Sequence, residues 1–403
     1  MSQPHVSSQK TVPSRWRPAL EGPGLIDLRL PIVPKVRASD PRVAQMRDAL
    51  MEGDPLAEAL LEWMGRAPER RALFERALSG GIASVPQASP SLAAFFEDLE
   101  REPAWLDREA VRLGTETMAR VGAGGYAALG SVSLMSGYLA SAAVKPLAMT
   151  GALTRMARRR LAETSRFVLD VSTSGDFARG SAGFVSAVRV RVIHATIRRA
   201  LRASPDWRTE QWGEPINQHD MVATNLQFSS VYVLGLLAQG YLVTRREREA
   251  VMHLWRWVGH VSGIRDALLP RTFKEGLELG FLINRTEEGP DDDSRALAAA
   301  LMEATRALHV EGLGPRLGGL KSRVELGLSR FVLGDRAADA LGLPDDAFKY
   351  APLVLGPPTM AAEIVRRVVP GARAFSIRFG TRVVRDALDR VLEGTPPPFA
   401  VAT

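Results

Sequence analysis

Val188-Arg189-Val190-Arg191-Val192-Ile193-His194-Ala195-Thr196-Ile197-Arg198-Arg199 interleaves apolar and arginine positions in a helical pattern. Residues three and four apart share one side of a helix, so Val190 and Ile197 flank His194 while Arg191 and Arg198 lie close to it. The imidazole is thereby a nearly dry nitrogen donor with cations nearby. A neutral imidazole in such a setting can ligate the iron of a porphyrin, with the arginines meeting its anionic propionates. It can also be a core histidine bonded to a backbone carbonyl. The run by itself leaves both open.

Working outward, helical periodicity dominates. From Pro41 to Met64, with a break at Gly53-Asp54-Pro55, and from Pro68 to Leu78, apolar residues recur at three- and four-residue intervals among good helix formers. Ser89-Pro90-Ser91-Leu92 opens a helix reaching Glu100, and Asp107 or its neighbour caps another that runs towards Arg120. Asp293 or Ser294 is the expected N-cap of a helix Arg295 to Val310; Gly312 to Gly319 reads as a flexible turn before a helix near Lys321 to Val332. Beyond it, breaks are expected at Pro344, Pro357-Pro358 and Pro370. No period-two stretch supports a sheet, and no internal repeat is evident. The expected architecture is all-α: a proline- and turn-rich arm at residues 1–40, one helical domain at 41–395 and a tail at 396–403.

Two stretches carry no charge, Val121 to Val144 and Met221 to Thr244. Both meet the length criterion for crossing a membrane, but the first is rich in glycine and serine and the second holds Asn225, Gln227, Ser229, Ser230 and Gln239. Such polar content is costly in lipid, so both are expected inside the protein, around a large ligand, without stable membrane insertion.

Among 403 residues there is no cysteine, which excludes disulfides, thiolate metal sites, iron–sulfur clusters and a cysteine-ligated haem. The net charge of +7 rests on arginine clusters such as Arg158-Arg159-Arg160, Arg198-Arg199 and Arg245-Arg246. They lie within apolar helical patterns and lack the interleaved aromatics of a nucleic-acid stacking platform, so no nucleic-acid partner is expected. The N-terminus has no apolar h-region, and a cytoplasmic protein is expected.

Several segments, taken in order, resemble a known family. They are Lys145-Pro146-Leu147-Ala148, Arg160 to Val168, Gly180 to Arg199, Pro215-Ile216-Asn217-Gln218-His219-Asp220 and Leu254-Trp255-Arg256-Trp257-Val258-Gly259. From about Gly137 to Ile264 the chain resembles the latex clearing proteins, haem b oxygenases that cleave carbon–carbon double bonds of polyisoprene, and a wider group of related oxygenases. The resemblance implies a globin-like helical core around a buried haem, with His194 as the proximal axial ligand and Arg160 and Thr164 in the distal pocket. It also exposes departures. Rubber-cleaving members have a lysine immediately before that threonine, where this chain has Glu163, and a catalytic glutamate where this chain has Val144 or Lys145.

Arg160, Glu163 and Thr164 share a helix face by spacing, a pattern that also fits a surface ion pair beside an idle threonine. His219 beside Asp220 reads as a cap and a solvated loop histidine. His253 and His260, among Trp255, Trp257 and Val258, read as interface packing rather than a zinc site. A phosphate loop, a nucleophile elbow and a His-Glu-x-x-His motif are absent from the sequence. The function expected is oxidation or oxidative cleavage of an apolar alkene, such as an isoprenoid, with dioxygen and haem b, by a monomer or weak homo-oligomer. The alternatives are a peroxide-driven or monooxygenating haem enzyme, or a haem- or lipid-binding protein without turnover.

Overall fold

The structure is a computed structural model that describes residues 12–17, 26, 36–150 and 152–392. Its long helices are α1 (Pro41–Ala49), α2 (Pro55–Met64), α3 (Pro68–Gly80), α4 (Pro90–Glu100), α5 (Arg108–Val121), α6 (Ala123–Gly137), α7 (Ser141–Met149) and α8 (Ala152–Ser172). They continue as α9 (Ala182–Arg202), α10 (Gln218–Ala238), α11 (Arg245–Val261), α12 (Phe273–Thr286), α13 (Asp292–Leu313), α14 (Pro315–Leu333), α15 (Ala351–Val368) and α16 (Ala372–Leu392). Among the described residues there is no strand, so the all-α expectation holds. The tail at 396–403 and most of the arm lie outside the described residues.

Local chemistry sets the helix ends. Proline opens α1 to α4 and α14, where its fixed φ suits the first turn and its missing N–H costs nothing. Asp40, Asp54, Ser89 and Asp107 cap the helices that follow them. Three expectations need correcting. α13 starts at Asp292, with the Asp291 side chain accepting from the Ser294 N–H, so the cap lies ahead of the expected Asp293 or Ser294. α14 starts at Pro315, because Gly314 with φ 80° is a sufficient break and proline at N1 reopens the helix at once. Pro357 and Pro358 sit inside α15 instead of ending it. The tight seat of that helix on the body, described below, outweighs the lost hydrogen bonds.

The two uncharged stretches are core helices. By length and composition α10 could cross a membrane, yet 61% of its apolar window is buried within the protein, and α6 and α7 meet at a bend of 106°. Trp255 of α11 stacks on Phe228 of α10 with ring centroids 4.7 Å apart, and Phe167 of α8 closes on both edge-on at 6.1 and 6.4 Å. This aromatic wedge ties α8, α10 and α11 together and fixes the side of α8 that faces inward.

Candidate functional site

Helix α9 opens at Ser181, whose side chain accepts from the Phe184 N–H, and packs on α8 and α2. Its two central arginines are spent on the protein itself. Buried Arg191 donates to Asp54 at 2.7 and 3.1 Å and to Asp98 at 3.1 Å, and lies 4.8 Å over the Phe95 ring. Buried Arg198 donates to the Pro215 and Ile216 carbonyls at 3.0 and 2.7 Å and to Glu58 at 3.3 Å. The expected encounter with propionates therefore competes with partners already in place.

His194 lies one turn from both arginines. His194 is partly exposed as a residue, but its Nδ1 is buried with no hydrogen-bond partner. Burial, followed by the charge of Arg198 and with Arg160 adding to it, pushes its pKa down to about 4 against the opposing pull of Asp54. At neutral pH the imidazole is uncharged, the form in which histidine ligates a metal.

Across from it, α8 carries the other predicted residues. Arg160 is near enough to oppose protonation of His194, and its Nη1 is 3.4 Å from Glu163. Arg159 holds the other Glu163 oxygen at 3.1 Å. Thr164, with Leu161 and Val168, lines a small cavity of about 20 Å³ between α8 and the turns around Leu134 and Gln227. Arg160 and His194 thus converge, with Thr164 one turn along α8. Lys145 does not join them, since Asp291 and Asp293 each hold its Nζ at 2.5 Å. Those two bonds raise its pKa despite partial desolvation.

Two features were not legible in the sequence. Residues Leu129–Leu134 of α6 and Gln227–Val231 of α10 are single π-turns that touch each other, and Ser133 donates to the Gln227 carbonyl at 2.7 Å. Such widened turns recur at functional sites. Here they lie between a pair of cavities that share Leu134 and Gln227 in their walls, the small one beside Thr164 and a larger, mainly apolar one of about 240 Å³. Val144 lines the large cavity, with Gly276 and Gly280 across it.

The second feature lies at a charged end of the large cavity, where Asp220 and Glu287 join its wall. His219 is fully buried in the first turn of α10, with Asn217 as the cap, so the expected solvated loop histidine is corrected. Arg15 of the N-terminal arm, also fully buried, grips Asp220 at 2.7 and 3.0 Å and the Glu287 Oε2 at 2.8 and 3.0 Å. Burial alone would raise both carboxyls, but Arg15 and His219 hold Asp220 well below the usual carboxylate range, whereas burial wins at Glu287 and raises it. His219 Nε2 and Glu287 Oε1 lie 3.4 Å apart, and neither makes a hydrogen bond. One donor atom from each of His219, Asp220 and Glu287 falls within 4.8 Å of the others. Arg15 already supplies the compensating charge there, so the cluster clasps the arm to α10 and α12. Its partners are 205 and 272 residues from Arg15, beyond the reach of any local pattern.

Residues 119–367 match the catalytic domain described as ER-bound oxygenase mpaB/B'/Rubber oxygenase. The chain belongs to that family and is an oxygenase. A rubber oxygenase from Streptomyces sp. (strain K30) is 26% identical over 307 residues, covering 72% of this chain and 70% of the relative. Latex clearing protein LCP, solved in a closed state, superposes with a TM-score of 0.57 at 20% identity over 85% of this chain and 91% of that one. At that identity the likeness speaks for the helical fold alone.

Proposed function

We propose that the protein is a haem b-dependent oxygenase that uses dioxygen to oxidise or cleave an apolar, isoprenoid-like alkene. The observation that carries this reading is His194, an uncharged imidazole whose buried Nδ1 has no partner and which is near enough to Arg160 to feel its charge. Those residues fit a haem. His194 would hold the iron, and bound haem supplies the redox chemistry with dioxygen. Arg160 and Thr164 would offer N–H and O–H donors from α8, the helix packed against α9. Arg159 and Arg160 engage both Glu163 oxygens, so Glu163 fixes the direction of Arg160 and cannot serve as the nitrogen ligand that lysine provides in rubber-cleaving relatives. Arg191 and Arg198 hold α9, and with it His194, against α2 and the Pro215 turn. The larger cavity, with its mainly apolar lining, suits a hydrocarbon chain. The relative named for rubber supports an unsaturated hydrocarbon substrate.

A second reading, peroxide-driven oxidation or monooxygenation, is favoured by one observation. Neither Val144 nor Lys145 offers a carboxylate base, and Lys145 is tied down by two aspartates. Purified protein supplied with haemin should show a Soret band that shifts on dithionite and carbon monoxide, and His194→Ala should lose it. Chain-cleavage products formed from an isoprenoid alkene under oxygen support the first reading; products formed only with peroxide select the second. A His194→Ala protein with full haem occupancy and an unchanged spectrum would refute the ligand assignment.

A further inference from the structure

Helices α15 and α16 are built inside out. The buried positions of α15 are Pro352, Gly356 and Glu363, a small or charged set. Gly356 presses on Gly240, where a Cβ would come within 2.3 Å of the Gly356 carbonyl oxygen, and Glu363 is buried against Arg120 at 2.8 Å. On α16, Gly380 meets Gly122 in the same way, with 3.1 Å from an added Cβ to the Gly122 Cα. The outward sides are apolar. Val354, Val365 and Val368, eleven and three residues apart, lie opposite the buried positions, and Val354 and Val368 are 71% and 69% exposed. Phe375 and Phe379 stack on each other at the surface of α16, opposite its buried Val384 and Leu388. Ala351 to Ala362 contains no charged residue. Water is a poor solvent for such faces, and exposed apolar side chains gathered on two neighbouring helices favour a docking site.

Charge decides between partners. From Ala351 to Leu392 there are seven arginines (366, 367, 373, 378, 382, 385 and 390) and three acidic residues (363, 386 and 389). Arg366, Arg367, Arg373 and Arg382 pair with Glu363, Glu247, Glu116 and Asp386; Arg378, one turn from Phe375 and exposed, and Arg385 make no ion pair among the described residues. In a symmetric pair of chains these cations would face like charges across a drying contact, which is costly. Against an anionic bilayer the same arrangement is favourable: apolar side chains enter the boundary between headgroups and acyl chains, and arginines reach the phosphates. The uncharged run of α15 is shorter than the roughly 18 to 20 residues a span needs, so the helices lie along the surface and do not cross it.

We propose that the α15–α16 pair is a peripheral docking surface for an anionic lipid bilayer. This inference is independent of the haem reading. The test is co-sedimentation of the full chain with phosphatidylcholine vesicles, with and without phosphatidylglycerol. The protein is expected to pellet with the phosphatidylglycerol-containing vesicles and to stay in solution with the neutral ones. Arg378→Gln should weaken partitioning about fivefold, and the double variant Val354→Asp with Phe375→Asp should abolish it while keeping the circular dichroism spectrum of the parent. Absence of binding to the anionic vesicles, or undiminished binding by the double variant, would overturn the proposal. So would a lipid-free dimer, seen by light scattering, that Val354→Asp dissociates, since the face would then join two copies of the chain.

Discussion

If the interior keeps His194 neutral, its protonation equilibrium must appear in the pH dependence of stability. In the folded chain, burial together with Arg198 and Arg160 brings its pKa down to about 4, against an ordinary value of 6.5 once the chain unfolds. Between those values the unfolded chain binds one more proton than the folded one, so stability falls as the pH falls. The contribution is fully present above the unfolded value and is lost as the pH drops towards the folded one. Integrating over the two constants gives a loss of about 2 kcal/mol by pH 5 and about 3 kcal/mol by pH 4. His194→Gln retains an amide of similar reach and has no titration in this range. Urea unfolding of wild type and variant at pH 7, 5 and 4 isolates the term, because every other group titrates in both. The wild type should lose more stability than the variant, by those amounts. Parallel pH profiles would refute the claim that the protein interior holds this imidazole neutral.

Arg191→Met should cost about 3 to 5 kcal/mol because it strands Asp54, buried beside it, without its cation. Adding Asp54→Asn, which keeps the α2 cap but removes the charge, should recover some of the loss in a urea double-mutant cycle; strict additivity would deny the coupling. Gly240→Ala should destabilise by more than about 1 kcal/mol, since φ is 86° and the added Cβ would meet the Gly356 carbonyl oxygen; an unchanged melting temperature counts against the tight seat of α15. On the haem reading, cyanide and imidazole should bind the wild type readily, and Glu163→Lys should slow that binding and shift the spectrum towards a form with two nitrogen ligands. A wild-type protein already resistant to imidazole would show that a group other than Glu163 governs the distal side.

Helix content was legible in the sequence because its signals are local. Prolines, caps and three-to-four periodicity act within a turn or two, and α1 to α5 begin and end within a few residues of where those signals place them. The candidate residues were legible in the same way: His194 on one amphipathic run, Arg160, Glu163 and Thr164 on another, and a resemblance that the family match bears out. The charge-free runs announced buried helices, since polar side chains within an apolar helix need protein partners. What they did not announce was the pair of π-turns. These depend on two helices meeting, with Ser133 donating to the Gln227 carbonyl.

Only the tertiary structure decided how the charges are spent. Arg191 and Arg198 look free in a helical projection, but Asp54, Glu58 and two carbonyls claim them from other elements. His219 sits in a polar turn by sequence, and becomes a core residue because Arg15 and Glu287 arrive from opposite ends of the chain. The prolines of α15 stay helical because glycines on two elements let backbones touch. Periodicity states which side of a helix is apolar; which neighbour covers that side, or whether any does, depends on long-range packing that no single segment encodes.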